Sequence, residues 1–128
     1  MEKDKNPLSP HLQIYRWQIS SLLSITHRIV GVINILAISL ICLWTLSLGL
    51  GENSYEITKE LLNSFFGKFF IISLCWTFSF HILNEIRHLI WDFGYGFELR
   101  IAKITGIIVF IGSFLLTVIF YLIGKSFI

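Results

Sequence analysis

Charge is scarce in this chain. Asp, Glu, Lys and Arg make up 14% of its 128 residues, where soluble domains run nearer a quarter. That shortage excludes an ordinary water-facing surface. The formal net charge is only +2 and no basic stripe exists, which excludes nucleic acid as a partner. Cysteine is nearly absent. Cys42 and Cys75 both fall in apolar runs, so they read as small core hydrophobes and not as a disulfide or metal pair. There is no Cys-x-x-Cys-His, no glycine-rich phosphate loop and no carboxylate cluster for a hard metal. The usual constellation for hydrolysis is missing too. What is abundant is apolar: hydrophobic residues reach 55%, with twelve Phe and four Trp. The expectation is a membrane protein of a single domain.

The long apolar runs number three. The first, 29–51, holds no charge, and at 23 residues it exceeds the ~20 needed to cross about 30 Å of hydrocarbon. Its helix is expected to start earlier, near a cap at Ser20 or Ser21, with Ser24, His27, Arg28 and Gly31 in its first turns. Asn34 follows His27 by seven and continues that polar face. The second run, 69–84, is charge-free for only 16 residues. It spans only with Glu85 and Arg87 at the edge of the apolar layer. The third, 104–124, carries no charge and no histidine; Gly106 and Gly112 permit close helix approach. The connector 52–67 has room for a surface helix starting near Ser54 or Thr58. The turn 91–100 pairs two glycines with four aromatics, the signature of a flexible interfacial corner. The fold class is therefore all-α with three transmembrane helices, up-down-up. The domain reading is one unit over 1–128, with an arm at 1–20 and spans at about 24–50, 68–90 and 104–124.

Cationic residues orient the spans. Lys3, Lys5, Arg16, Arg28, Arg87, Arg100 and Lys103 flank one side, and Lys59, Lys68 and Lys125 flank the other. The positive-inside rule puts the N-terminus and the 87–103 turn in the cytoplasm. The opening residues carry neither a signal-peptide nor a transit-peptide pattern. The expected location is the bacterial inner membrane, or the mitochondrial inner membrane for an organelle-encoded chain.

The chemistry concentrates in 81–92. His81 and His88 are seven apart, so they share a helix face about 10 Å apart along the axis. Glu85 lies between them on that side. Ionisable groups in an apolar helix usually face protein, a cavity or a cofactor. His81 lies about 9 Å deeper than Arg87. At that depth neither other span is expected to offer it an acid or a second histidine. His11, His27 and His88 all read as boundary residues. Three uses of such a histidine stay open: haem ligand, proton-relay member, or packed core histidine. Trp76, Phe78 and Phe80 suit a porphyrin face or any apolar core. A haem here needs its second axial ligand from another chain, and two histidines leave the iron no open position, which suits electron transfer. Its propionates would seek His27, Arg28, Arg87 or His88. Ser24 and Arg28, four apart on one face, present donors for a quinone carbonyl, or else Arg28 anchors to phosphate and Ser24 bonds back to its own helix. Asp92 is expected to pair with Arg87 or Arg28.

Three motifs together resemble a known family: Ser9-Pro-His-Leu-Gln-Ile-Tyr15, Ser24-Ile-Thr-His-Arg-Ile-Val-Gly31, and His81 followed by Arg87-His88-Leu89 and Asp92. They are similar to the cytochrome b subunit of succinate dehydrogenase, the larger membrane anchor of complex II. The resemblance covers nearly the whole chain. It implies His81 as an axial ligand of haem b, the other ligand coming from the smaller hydrophobic anchor subunit. It implies His27, Arg87 and His88 in the haem-propionate region, and Ser24 and Arg28 at a ubiquinone-reduction site. The implied partners are that small anchor, an iron–sulfur subunit, a flavoprotein subunit and membrane lipid. Succinate oxidation itself belongs to the soluble subunits, so the chain is a non-catalytic part of an electron-transport enzyme in the tricarboxylic acid cycle. The family commonly has glycine where this chain has Glu85, and Arg-Pro where it has Asn6-Pro7. Three rivals predict otherwise, one of them a purely structural membrane anchor that has lost its haem and assembles regardless of His81→Ala. A fumarate reductase anchor runs the same chemistry backwards. A small proton-conducting subunit built on His81 and Glu85 carries no haem.

Overall fold

The computed structural model describes residues 16–126. Residues 1–15 of the arm, with the first motif and His11, lie outside the described residues, and Ile19 and Ser20 of the expected arm belong to the first helix. Four helices follow in order: α1 (Ile19–Gly49), α2 (Glu52–Asn63), α3 (Phe65–Asp92) and α4 (Leu99–Ser126). The described residues contain no strand. α1, α3 and the Leu99–Lys125 stretch of α4 are long and apolar enough to cross a membrane, so the all-α reading with three spans stands.

Each long helix outruns its charge-free core. α1 has 31 residues and α3 has 28, or about 46 and 42 Å at 1.5 Å per residue. The surplus explains how α3 spans despite its short apolar core: Glu85 and Arg87 fall in its last two turns. The ends differ from expectation. Gln18, not Ser20 or Ser21, precedes α1, and it makes no side-chain cap. α2 begins directly after Gly51, whose φ of 112° breaks the chain direction. Ser64 caps α3, its Oγ accepting from the Gly67 N–H at 3.1 Å, which satisfies one of the orphan amides of the first turn. At the 93–98 corner Gly94 and Gly96 both take positive φ, 85° and 82°, as the flexible-turn reading required.

The apolar core is thin. Leu23, Val30, Phe80 and Val109 are its buried members, with Ile19, Trp76 and Leu83 packed against them. Most other large apolar side chains are exposed, the arrangement expected when hydrocarbon or another apolar subunit is the solvent. The buried set includes Ser47, Thr77, Ser79, Asn84, Arg87, Ser113 and Thr117, and polar contacts among them link the helices. The Thr77 hydroxyl lies 2.9 Å from Asn34 Oδ1 and joins α3 to α1. Trp76 Nε1–H donates to Ser113 Oγ at 3.0 Å and joins α3 to α4. Gly106 marks the tightest approach of α4 to α1, since a Cβ there would stand 2.5 Å from Leu23 Cδ1 and 3.1 Å from Ile19 Cγ2.

Candidate functional site

Two helices distant in sequence build the site. α1 starts at Ile19, so His27 sits about 12 Å along it. α3 ends at Asp92, so His81 sits about 16 Å from that end. The helices run antiparallel, and the two residues meet. The His27 and His81 rings stack with centroids 4.3 Å apart and planes within 4°. Gly31, one turn after His27, leaves room for His81: a Cβ there would lie 3.7 Å from His81 Cε1. His27 is therefore not a boundary residue. The packing of α1 on α3 brings it to the depth of His81, for which the sequence predicts no partner from another span.

Glu85 completes the cluster. Its Oε1 lies 3.0 Å from His27 Nε2 and 3.9 Å from His81 Nε2. The nearer contact is a hydrogen bond across helices, and the farther one is an approach within α3. The ligand atoms of His27, His81 and Glu85 all fall within 4.8 Å of one another, a set of two imidazoles and a carboxylate able to hold a metal ion. The Nδ1 atoms of both histidines are buried without a hydrogen-bond partner. His88 closes the group from one side, its ring 5.8 Å from that of His27 and edge-on to Trp91 at 5.3 Å.

The other candidates divide. Ser24 and Arg28 are exposed on α1, at the same end of the bundle as the cluster. Nearby hydroxyls bond back to their helix, as Thr26 does to Leu22 O at 2.8 Å. Ser24 makes no such bond, and Arg28 has no ion pair among the described residues. Arg87 turns the other way. It is 5% exposed, and its guanidinium donates to Thr105 Oγ1 at 3.2 Å and Ala102 O at 3.0 Å on α4. It also stacks 4.0 Å over the Trp91 ring. These contacts replace the expected pairing with Asp92, which joins no ion pair among the described residues. The aromatic wall expected around His81 is split too. Phe80 is buried and Trp76 packs on Phe80 and Phe114, toward α4, while Phe78 is 53% exposed.

This pattern has relatives. The family described as succinate dehydrogenase/fumarate reductase transmembrane subunit matches residues 2–120. The chain belongs to that family. It is 42% identical over 118 residues to the succinate dehydrogenase cytochrome b556 subunit of Rickettsia conorii, covering 92% of each chain. It is 30% identical over 119 residues to the cytochrome b556 subunit of Paracoccus denitrificans, covering 93% of this chain and 92% of that one. It is 36% identical over 124 residues to the cytochrome b560 subunit of Reclinomonas americana, covering 91% and 85%. The resemblance read from the three motifs is thus correct. As a succinate dehydrogenase/fumarate reductase transmembrane subunit, the chain is a non-catalytic membrane component of an electron-transfer complex, and its three spans and histidine cluster agree with that role.

The contact between His27 and His81 was the feature that sequence reading missed. Its signal was present in the stretch before the first apolar run. His27 opens a polar face that Asn34 continues seven residues later, and α1 turns both residues toward α3.

Proposed function

We propose that this chain is the membrane anchor of succinate dehydrogenase that shares a b-type haem with the smaller anchor subunit and contributes to the ubiquinone-reduction site. The observation that carries the reading is the His27–His81–Glu85 cluster one turn from the unengaged donors of Ser24 and Arg28.

The residues suit a haem. His81 is the proposed ligand, and its Nε2 stands 3.9 Å from Glu85 Oε1. Glu85 stands before that nitrogen, but its side chain is 51% exposed and is free to turn on its three torsions. The His27 ring lies flat on His81 and would pack beside the group. A second histidine to hold the group would come from the smaller anchor subunit. When bound, haem b would supply one-electron storage. His27 and His88 border the region where its propionates would lie, and Arg87 stands behind them holding α3 to α4.

Ser24 and Arg28 do the quinone work in this reading. The Ser24 hydroxyl and the Arg28 guanidinium donate to one carbonyl oxygen of a flat apolar ring. Arg28 stabilises the negative charge that grows on that oxygen as electrons arrive. Two electrons and two protons then convert quinone to quinol. The electrons come from succinate through the flavoprotein and iron–sulfur subunits. The positive-inside count puts the cluster end of the bundle, with the N-terminus, on the cytoplasmic side. On this account the whole of 1–128 is one haem- and quinone-binding anchor domain in the inner membrane.

The test is a reduced-minus-oxidised visible spectrum of the purified native complex beside that of His81→Ala. A sharp low-spin b-type band that vanishes in an assembled variant supports the assignment. An unchanged band in the variant overturns the ligand, and no band in the wild-type complex overturns the haem.

A further inference from the structure

The end of the bundle opposite the histidines holds a cavity that the haem and quinone reading does not use. Its volume is about 660 Å³, and all four helices line it. That size falls within the 300–1,000 Å³ typical of small-molecule sites. Trp44 of α1, Ile72 of α3 and Phe120 of α4 give it apolar walls. Three lysines from three different helices meet at it: Lys59, Lys68 and Lys125. No Asp or Glu is among the residues that line it. None of these lysines joins an ion pair among the described residues, where the only carboxylate contacts are those of Glu85 with His27 and His81.

The lysines stand out against the rest of the chain. They are the three cations of this side, and sequence spacing scatters them over 66 positions, from 59 to 125. Folding brings them to one apolar cavity. Three ammonium groups at one cavity repel each other, Lys59 less than the others because it also borders Glu56 and Glu60, and gathering them around greasy walls is stabilised by an anion. A free anion would match the lysines but leave the walls in contact with water. A neutral lipid or quinone would match the walls but leave the charges uncompensated. A ligand with an anionic head and an apolar tail satisfies both.

We propose that this cavity is a binding site for an anionic phospholipid, its phosphodiester among Lys59, Lys68 and Lys125 and the start of its acyl chains against Trp44, Ile72 and Phe120. The lipid joins α2 to the ends of α3 and α4, so it also fastens the connector helix, which buries no residue of its own.

The experiment uses the intact complex, purified in detergent and stripped of bound lipid. Native mass spectrometry and thermal unfolding are followed as dioleoyl-phosphatidylglycerol, dioleoyl-phosphatidylcholine or inorganic phosphate is added. The site predicts retention of phosphatidylglycerol and a raised unfolding temperature, with little effect of phosphatidylcholine or phosphate. Each lysine changed to Gln weakens phosphatidylglycerol binding by about fivefold, and the triple variant by about a hundredfold. The triple Lys→Arg variant keeps the charge and retains binding, which separates loss of the site from misfolding. Equal protection by inorganic phosphate would make this a plain anion site and overturn the proposal. Unchanged phosphatidylglycerol binding in the triple Gln variant would overturn it as well.

Discussion

His27 and His81 lie face to face, ring centroids 4.3 Å apart and planes within 4° of parallel. One comes from the first span and one from the second, and the proposed reading gives the iron to His81. The two alanine variants therefore separate. His81→Ala removes the low-spin haem band entirely from the assembled complex. His27→Ala keeps most of that band, because it removes a neighbour and not the ligand. Visible spectra of the two variants, each normalised to the flavin content of the complex, check the split. Equal loss in both would mean that the stack itself, and not His81 alone, holds the haem.

Glu85 is the one acid of the histidine cluster. Its carboxylate stands 3.9 Å from His81 Nε2 and bonds His27 at 3.0 Å. A negative charge beside a haem favours the ferric form, which carries one more positive charge. Glu85→Gln and Glu85→Gly are expected to raise the haem midpoint potential by similar amounts, since both remove the charge. Potentiometric titration of the b-band gives the value. A potential that moves in Glu85→Gly but not in Glu85→Gln would assign the effect to packing.

The sequence was most legible where physics acts along one helix. Three spans, the flexible Gly94–Gly96 corner and the shared face of His81 and His88 all follow from local periodicity and turn chemistry. What it hid depends on contacts between helices. Arg87 looked like an interfacial cation for Asp92 or a propionate, yet Thr105 and the Ala102 carbonyl sit opposite it on α4. Nothing in residues 81–92 specifies that neighbour. Trp76 likewise looked free to line a cofactor, and Ser113, 37 positions away, claims its N–H. The depth of His27 was hidden in the same way. α1 starts within two residues of the expected cap, about 3 Å along the axis, so it is the packing of α1 on α3, and not the helix end, that brings His27 to His81.

Gly67 tests the corner that sets where α3 begins. A Cβ at this position would press on the Leu61 and Leu62 carbonyl oxygens. These are backbone atoms of α2, so no rotamer change relieves the clash. Gly67→Ala is expected to cost about 1–3 kcal/mol and to open the α2–α3 junction. Gly31→Ala is the matched control, since its new methyl meets His81 Cε1 at an ordinary 3.7 Å. Thermal unfolding of the two complexes compares them. A Gly67→Ala complex as stable as Gly31→Ala would show that the junction is looser than the carbonyl contacts imply.

Arg28 and Arg87 occupy the same end of the bundle and are expected to fail in different ways. Arg28 is exposed and unpaired among the described residues, so its guanidinium is available to a ligand. Arg28→Ala is expected to slow succinate:quinone turnover on the order of a hundredfold, the scale for losing one charge-stabilising donor. Succinate oxidation with an artificial acceptor should stay near wild type, because the soluble centres are untouched. Arg87 is buried, with two hydrogen bonds to α4 and a stacked Trp91. Arg87→Ala removes charged hydrogen bonds and a cation–π contact, a loss of about 2–3 kcal/mol in stability. Arg87→Lys recovers only part of it, because an ammonium cannot reproduce the planar fork. Its complex should lose yield and unfolding temperature, while the assembled fraction keeps the wild-type KM for quinone. A raised quinone KM in Arg87→Lys at normal stability would move Arg87 from the helix junction into the quinone pocket. Equal loss of both electron-transfer activities in Arg28→Ala would move Arg28 from the pocket to the assembly interface.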